Sequence, residues 1–201
     1  PRPSCEDQIL PFAKSGHEFF VCPGVNCWNR VLPHFGAAAT NIQHFVRDGI
    51  KHGALGVLNT AWDDDGENLN APSWHGFAWG AECSWNASTT SLADFNRRIG
   101  AVLFGERGEH FGQAIALLST PGIAGLPNRD FWKIEFRPIR AASVQAAREP
   151  WEKLLKPARA ALDHLEACRR DATTNAALLD GFIFGARRIE LCAQRELDRI
   201  A

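Results

Sequence analysis

The chain has 201 residues, of which 45% are apolar and 22% charged, and a net charge of −1. These figures fit one globular unit with room for an appendage. A near-neutral chain without a basic stripe argues against nucleic acid as the main partner, and no apolar run reaches the roughly 20 residues of a membrane span.

The opening, "PRPSCEDQIL", has neither a basic n-region nor an apolar h-region, so no signal peptide is expected. "HEFFVCPG" (His17 to Gly24) is a short apolar run stopped by Pro-Gly, and it reads as a buried strand. "FGAAATNIQHFVRDGIKHG" (Phe35 to Gly53) follows, with Ile42, Phe45, Val46, Gly49 and Ile50 at helical spacing and Gly53 where a helix C-cap belongs. "ALGVLNTAW" (Ala54 to Trp62) is too apolar to alternate, as expected of a strand covered on both faces. Strand, helix and strand in this order form a βαβ unit, which predicts parallel strands joined by a right-handed crossover.

"SWHGFAWGAECSW" (Ser73 to Trp85) supplies another helix, on which Trp74, Trp79 and Trp85 read as packing residues. "SLADFNRRIGAVLFG" (Ser91 to Gly105) is a helix with Ser91 as N-cap and Asp94 in its first turn. Gly108 to Arg140 carries Pro and Gly marks and reads as irregular. Two amphipathic helices, at about 144–170 and 173–200, close the chain as an antiparallel pair. Leu154, Leu155, Ala158, Ala161, Leu162, Leu165 and Cys168 form the inward face of the first; Phe182, Ala186, Ile189, Ala193 and Leu197 form that of the second.

In parallel α/β folds, ligands meet the carboxyl ends of the strands. Those ends read "FFVCPGVNCWN" and "LNTAWDDDGEN", and together they offer Phe20, Cys22, Trp28, Asn29, Asn59, Trp62, Asp63, Asp64, Asp65 and Glu67. Aromatic faces beside carboxylates suit a sugar, whose C–H face stacks on indole while its hydroxyls donate to carboxylates. Asp65-Gly66 is also a common turn pair. Aligning Gly66 with the glycine of a calcium loop puts Ala61 at its first position and Pro72 at its last, so that pattern fails. The six cysteines form no CxxC pair and no zinc spacing, and they read as buried thiols. His17, His34, His44, His52 and His75 show no ligand spacing. Neither a metal nor a cofactor is expected. Methionine and tyrosine are absent, against 13 Phe and 7 Trp.

"FFVCPGVNCWN", then "GIKHGALGVLNTAWDDDGE" and "GFAWGAECSW", resemble the last two βα units of family 20 glycoside hydrolases, the β-N-acetylhexosaminidases, over about residues 10–105. The resemblance implies the C-terminal portion of a (β/α)8 TIM barrel over residues 1–105, followed by a mostly helical region over 106–201. It also implies removal of terminal N-acetylglucosamine or N-acetylgalactosamine with retention, the substrate's own acetamido oxygen attacking the anomeric carbon.

In that family an adjacent Asp-Glu pair does the catalytic work, and the resemblance puts it upstream, so no catalytic residue is expected in this segment. Trp62 matches a tryptophan that packs on the sugar, and Asp64 matches an acidic residue that holds its outer hydroxyls. Phe20, Cys22 and Trp28 complete the substrate-binding set. Phe20 stands where the family has a tyrosine that hydrogen-bonds the acetamido oxygen, and Ala61, Asp63 and Glu67 also depart from the family pattern. The partners implied are N-acetylhexosamine-containing glycans and the upstream part of the same barrel. The alternative is a binding protein that keeps the sugar pocket without the chemistry.

Overall fold

The computed structural model describes residues 4–62, 68–86, 89–124 and 144–200. Helix α1 spans Glu6–Ser15, strand β1 Phe20–Val21, helix α2 Phe35–Lys51 and strand β2 Gly56–Val57. The strands pair in parallel, Phe20 against Gly56 and Val21 against Val57, and a bridge from Gly24 to Thr60 prolongs the pairing. Between them α2 buries Phe35, Ala38, Ala39, Ile42 and Val46 along one stripe. The helix ends where Gly53 takes φ +80°: the Gly53 N–H donates to the Ile50 carbonyl and the Ala54 N–H to that of Gly49. This double closure satisfies carbonyls left over at a helix end, and a residue with a Cβ would strain the left-handed turn.

The barrel expectation is overturned. Among the described residues the sheet holds two strands of two residues each, and nearly all other regular structure is helical. Barrel strands pair on both edges over about 5–6 residues. Here the ladder shrinks to a bridge beyond Val21, where Pro23 has no N–H to donate. Most helical apolar surface is buried against other helices instead of a sheet.

Those helices are α3 (Asn70–Asn86), α4 (Leu92–Phe104), α5 (His110–Leu118), α6 (Pro121–Ala124), α7 (Val144–Asp171) and α8 (Leu179–Arg199), with one 3-10 turn at Ala176–Leu178 before α8. Ser91 caps α4 as its sequence predicts, its Oγ accepting the Asp94 N–H at 3.1 Å. Helix α5 corrects the reading of Gly108 to Arg140 as irregular; residues 125–140 of that stretch lie outside the described residues. Phe111, Ala114, Ile115 and Leu118 are buried along α5 at spacings of three and four, the repeat of a core-facing helix. Helices α7 and α8 run antiparallel, as Arg159–Glu190, Arg187–Glu166 and Arg169–Asp180 pairs along their length require.

The main apolar cluster is a layer of helices and runs through position 105, from Val25 and Phe35 through Trp79, Phe95 and Phe111 to Phe182 and Ala193. Its centre is aromatic: Phe104 and Phe111 lie 4.8 Å apart between ring centres, and Phe111 meets Phe182 edge-on at 5.0 Å. Such edge contacts add about 0.5–1.5 kcal/mol each beyond area burial. A smaller cluster of Cys5, Ile9 and Val21, with Phe19, Phe45 and Val57 against it, seats α1 and α2 on one face of the sheet. Buried Asp48 ties α1 down by accepting from the Cys5 N–H (2.7 Å) and the Ser4 hydroxyl (2.9 Å). The six cysteines are free thiols, and all but Cys22 are buried. Among the described residues no helix is long and apolar enough to cross a membrane.

Candidate functional site

The carboxyl ends of β1 and β2 are stitched together around Thr60. Its N–H donates to the Pro23 carbonyl at 2.9 Å, and its own carbonyl accepts from the Val25 N–H at 2.9 Å. The Thr60 hydroxyl donates to the Pro23 carbonyl at 3.3 Å and accepts from the Trp62 indole N–H at 3.2 Å. One threonine therefore joins the two chain segments and orients a tryptophan. The buried Cys27 thiol donates to the Trp62 carbonyl at 3.4 Å, and the Asn41 amide donates to the Gly24 carbonyl at 3.2 Å. Asn26 and Asn29 take φ +56° and +58°, left-handed values that asparagine tolerates better than most residues.

Trp28 lies over Gly24: a Cβ on that glycine would stand 3.0 Å from the indole and 3.6 Å from the Thr60 hydroxyl. Both indoles thus gather at the Gly24–Thr60 bridge. Trp62 is 59% exposed and Trp28 38%. Phe20 faces outward on the sheet surface that α1 and α2 leave open, 58% exposed, with Cys22 two residues further along the same alternation. Leu55 and Leu58, which flank β2, are also exposed, so the Ala54 to Trp62 run is not covered on both faces as its apolar character suggests.

Of the five residues expected to bind substrate, Trp62, Trp28, Phe20 and Cys22 share this end or open face of the sheet; Asp64, with Asp63, Asp65 and Glu67, lies outside the described residues. The tryptophans of α3 divide. Trp79 is fully buried, and its indole N–H donates to the Ala39 carbonyl at 2.9 Å. Trp74 is half exposed and packs edge-on against Phe77 at 5.9 Å, whereas Trp85 is almost wholly exposed, so packing does not account for it.

Sequence reasoning missed Thr60, whose signal was a polar residue inside an apolar run directly before Ala61-Trp62. It also did not assign Asn59 a partner. The Asn59 amide donates to the Gly76 carbonyl at 3.0 Å, while its buried Oδ1 has no hydrogen-bond partner among the described residues. Helix α3 comes this close because Gly80 lacks a side chain; a Cβ there would sit 2.2 Å from the Asn59 amide nitrogen.

The electrostatics of this end rest on Arg30 and His34. Desolvation lowers the pKa of both from their ordinary values, and the Arg30 charge adds to the lowering at His34. His34 is held as a neutral acceptor, its Nδ1 taking the Ala37 N–H at 3.2 Å at the start of α2. Among the described residues no group of three or more His, Cys, Asp or Glu is placed to hold a metal ion. What the described surface offers is stacking area and oriented indole, with carboxylates expected alongside. It presents no nucleophile–base constellation.

Comparison with protein-family models gives no match, and comparisons with curated proteins and with solved structures give none either.

Proposed function

We propose that this chain supplies part of the sugar pocket of a retaining exo-β-N-acetylhexosaminidase of the family 20 type, which removes terminal N-acetylglucosamine or N-acetylgalactosamine. One observation carries the reading: Trp62 is more than half exposed yet held through the Thr60 hydroxyl to the Pro23 carbonyl. An exposed indole fixed in advance loses little side-chain freedom when a sugar ring stacks on it, and that loss otherwise costs about 0.5–1.5 kcal/mol per side chain. Trp28 and Phe20 extend the apolar wall. Asp64, two residues after Trp62, takes the outer hydroxyls. The acid Asp-Glu pair lies upstream in the gene product, and no carboxylate here takes its role. Catalysis is by the substrate's acetamido group, which works only when confined against the anomeric carbon, so the Trp62 wall acts on turnover as well as binding.

The second reading, a glycan-binding protein without chemistry, is favoured by Phe20, which has no hydroxyl to offer the acetamido oxygen. Loss of one such donor costs a factor on the order of 10²–10³ in rate.

The test is hydrolysis of an aryl N-acetyl-β-hexosaminide by the full-length gene product. Trp62→Ala should lower both binding and turnover. Asp64→Asn should lower kcat/KM about ten- to hundred-fold, the loss of one charge-assisted hydrogen bond. Asp65→Asn should change little. Binding of N-acetylglucosamine without hydrolysis would select the second reading; no binding, or full activity in Trp62→Ala, would remove both.

A further inference from the structure

His110 opens α5, and His164 lies in the last third of α7. Their Nδ1 atoms are 3.2 Å apart and their ring centres 5.5 Å apart, with the rings tilted by 36°. We propose that His110 and His164 form a two-imidazole site for a divalent transition-metal ion of the zinc type, clamping the start of α5 to α7.

The spacing carries the argument. Two imidazole nitrogens bound at about 2.0–2.1 Å to one tetrahedral ion stand about 3.3–3.4 Å apart, and about 2.9 Å apart when they meet the ion at a right angle. The observed separation falls between these values. The ring centres lie nearly in line with the two nitrogens, as in a hydrogen bond, so each half-buried ring must turn by about 35° for both Nδ1 lone pairs to converge on one tetrahedral ion at this spacing.

Gly108 sets the orientation of one ring. A Cβ there would stand 2.7 Å from His110 Cδ2 and 2.9 Å from its Nε2. The Nε2 edge therefore lies against bare backbone, and Nδ1 is the nitrogen turned toward His164. Both side chains are only partly buried, which leaves a path for the ion and for waters. Among the described residues no third His, Cys, Asp or Glu joins them. The site is thus unlike a closed four-ligand structural centre; water fills its other positions, and the ion exchanges readily. Imidazole ligands select zinc, copper or nickel over magnesium and calcium, which prefer oxygen.

Without an ion, the same contact is one hydrogen bond, in which one Nδ1 carries the proton and the other accepts it. The two states make different predictions for added metal. The complete protein, stripped with a chelator, is melted with and without zinc chloride. At zinc about 100-fold above its dissociation constant, the melting midpoint should rise by about 5–10 °C, and magnesium chloride should leave it unchanged. His110→Gln and His164→Gln should each abolish the rise, while His17→Gln, at an exposed site in another part of the chain, should keep it. Should either variant fail to fold, nitrogen-15 spectra of the unaltered protein decide: zinc must move the Nδ1 resonances of two histidines. No rise with zinc, an equal rise with magnesium, a rise that survives in both variants, or shifts at other groups would each overturn the proposal.

Discussion

In the helical core, Phe104, Phe111 and Phe182 are almost wholly buried and meet edge to face, whereas at the sheet corner Phe20, Leu58 and Trp62 are each more than half exposed. The two regions use the same apolar residue types for different ends. In the core, aromatic area is removed from water and holds the helices together. At the corner, hydrogen bonds through Thr60 and Cys27 hold an indole in place while its face stays in solvent. Burial identifies what keeps this chain folded; exposure under restraint is the ground on which the sugar contact is proposed.

The strongest way to break this comparison is to truncate one aromatic in each region. Phe182→Ala should cost about 3–5 kcal/mol, through lost transfer energy plus the cavity left among Phe35, Phe111 and the helices. Phe20→Ala should change stability by about 0.5 kcal/mol or less, because its ring is largely in water already. Urea unfolding of the two variants measures both. Equal losses would mean that the sheet corner is covered in solution and that the contrast is false.

A pH series separates the regions next. His75 is buried between Phe35, Phe95 and Phe111, with Nε2 2.9 Å from Asn96 Oδ1, and burial pushes its pKa down to about 4. Unfolded, it titrates near 6.5. The unfolded chain therefore binds the extra proton between these values. The His75 contribution is complete above about pH 6.5 and is lost as pH falls toward 4, by roughly 3 kcal/mol in all. Urea midpoints at pH 7 and pH 4.5 should show most of that loss. His75→Gln, which keeps a donor for Asn96 but cannot titrate, should flatten it; an unchanged pH slope in that variant would show that the acid sensitivity lies elsewhere.

The parts of this structure legible in the sequence are those whose cause is local. The Ile42, Val46 and Gly49 stripe of α2, the Gly53 turn and the Ser91 cap follow from neighbours within a few residues, although the same spacing puts Ile50 on the stripe and the structure leaves it exposed. The parallel pairing of β1 with β2 follows from their order around α2. The inward faces of α7 and α8 were likewise written in their spacing, down to Phe182, Ala186, Ile189, Ala193 and Leu197. The barrel was different in kind. It came from the resemblance, and strand count and closure are properties of many segments together, which no single apolar run carries. Helix α5 was hidden for the opposite reason: its Phe111–Leu118 repeat was plain, but Gly105, Gly108, Pro121 and Gly122 around it gave the whole stretch the look of a loop.

At the site, Phe20, Trp28 and Trp62 were legible as large aromatics at strand ends. The Thr60 relay was not, because it exists only once Gly24 and Thr60 are bridged. His110 and His164, 54 positions apart, meet only through the packing of α5 on α7.

The smallest effects sharpen the comparison most, because both regions start a helix with a side-chain cap. Helix α4, in the core, is capped by Ser91, whose Oγ accepts the Asp94 N–H. Helix α2, beside the sheet, is capped by His34, whose Nδ1 accepts the Ala37 N–H. Each satisfies one otherwise orphaned helix donor, so Ser91→Ala and His34→Ala should each cost about 1 kcal/mol near pH 7.5. The caps then part company as pH falls. A serine hydroxyl does not titrate in this range, and the cost of Ser91→Ala should stay constant. An imidazole that gains a proton on Nδ1 can no longer accept, and desolvation together with the Arg30 charge lowers the folded pKa of His34 below its unfolded value. The His34 contribution is therefore complete above the unfolded pKa and is lost as pH falls below it. The cost of His34→Ala should shrink between pH 7.5 and pH 5.5 while that of Ser91→Ala does not, measured as the difference in unfolding free energy from the unaltered protein at each pH. A cost for His34→Ala that holds steady across that range would show that the ring contributes by packing at the head of α2 and not as an acceptor.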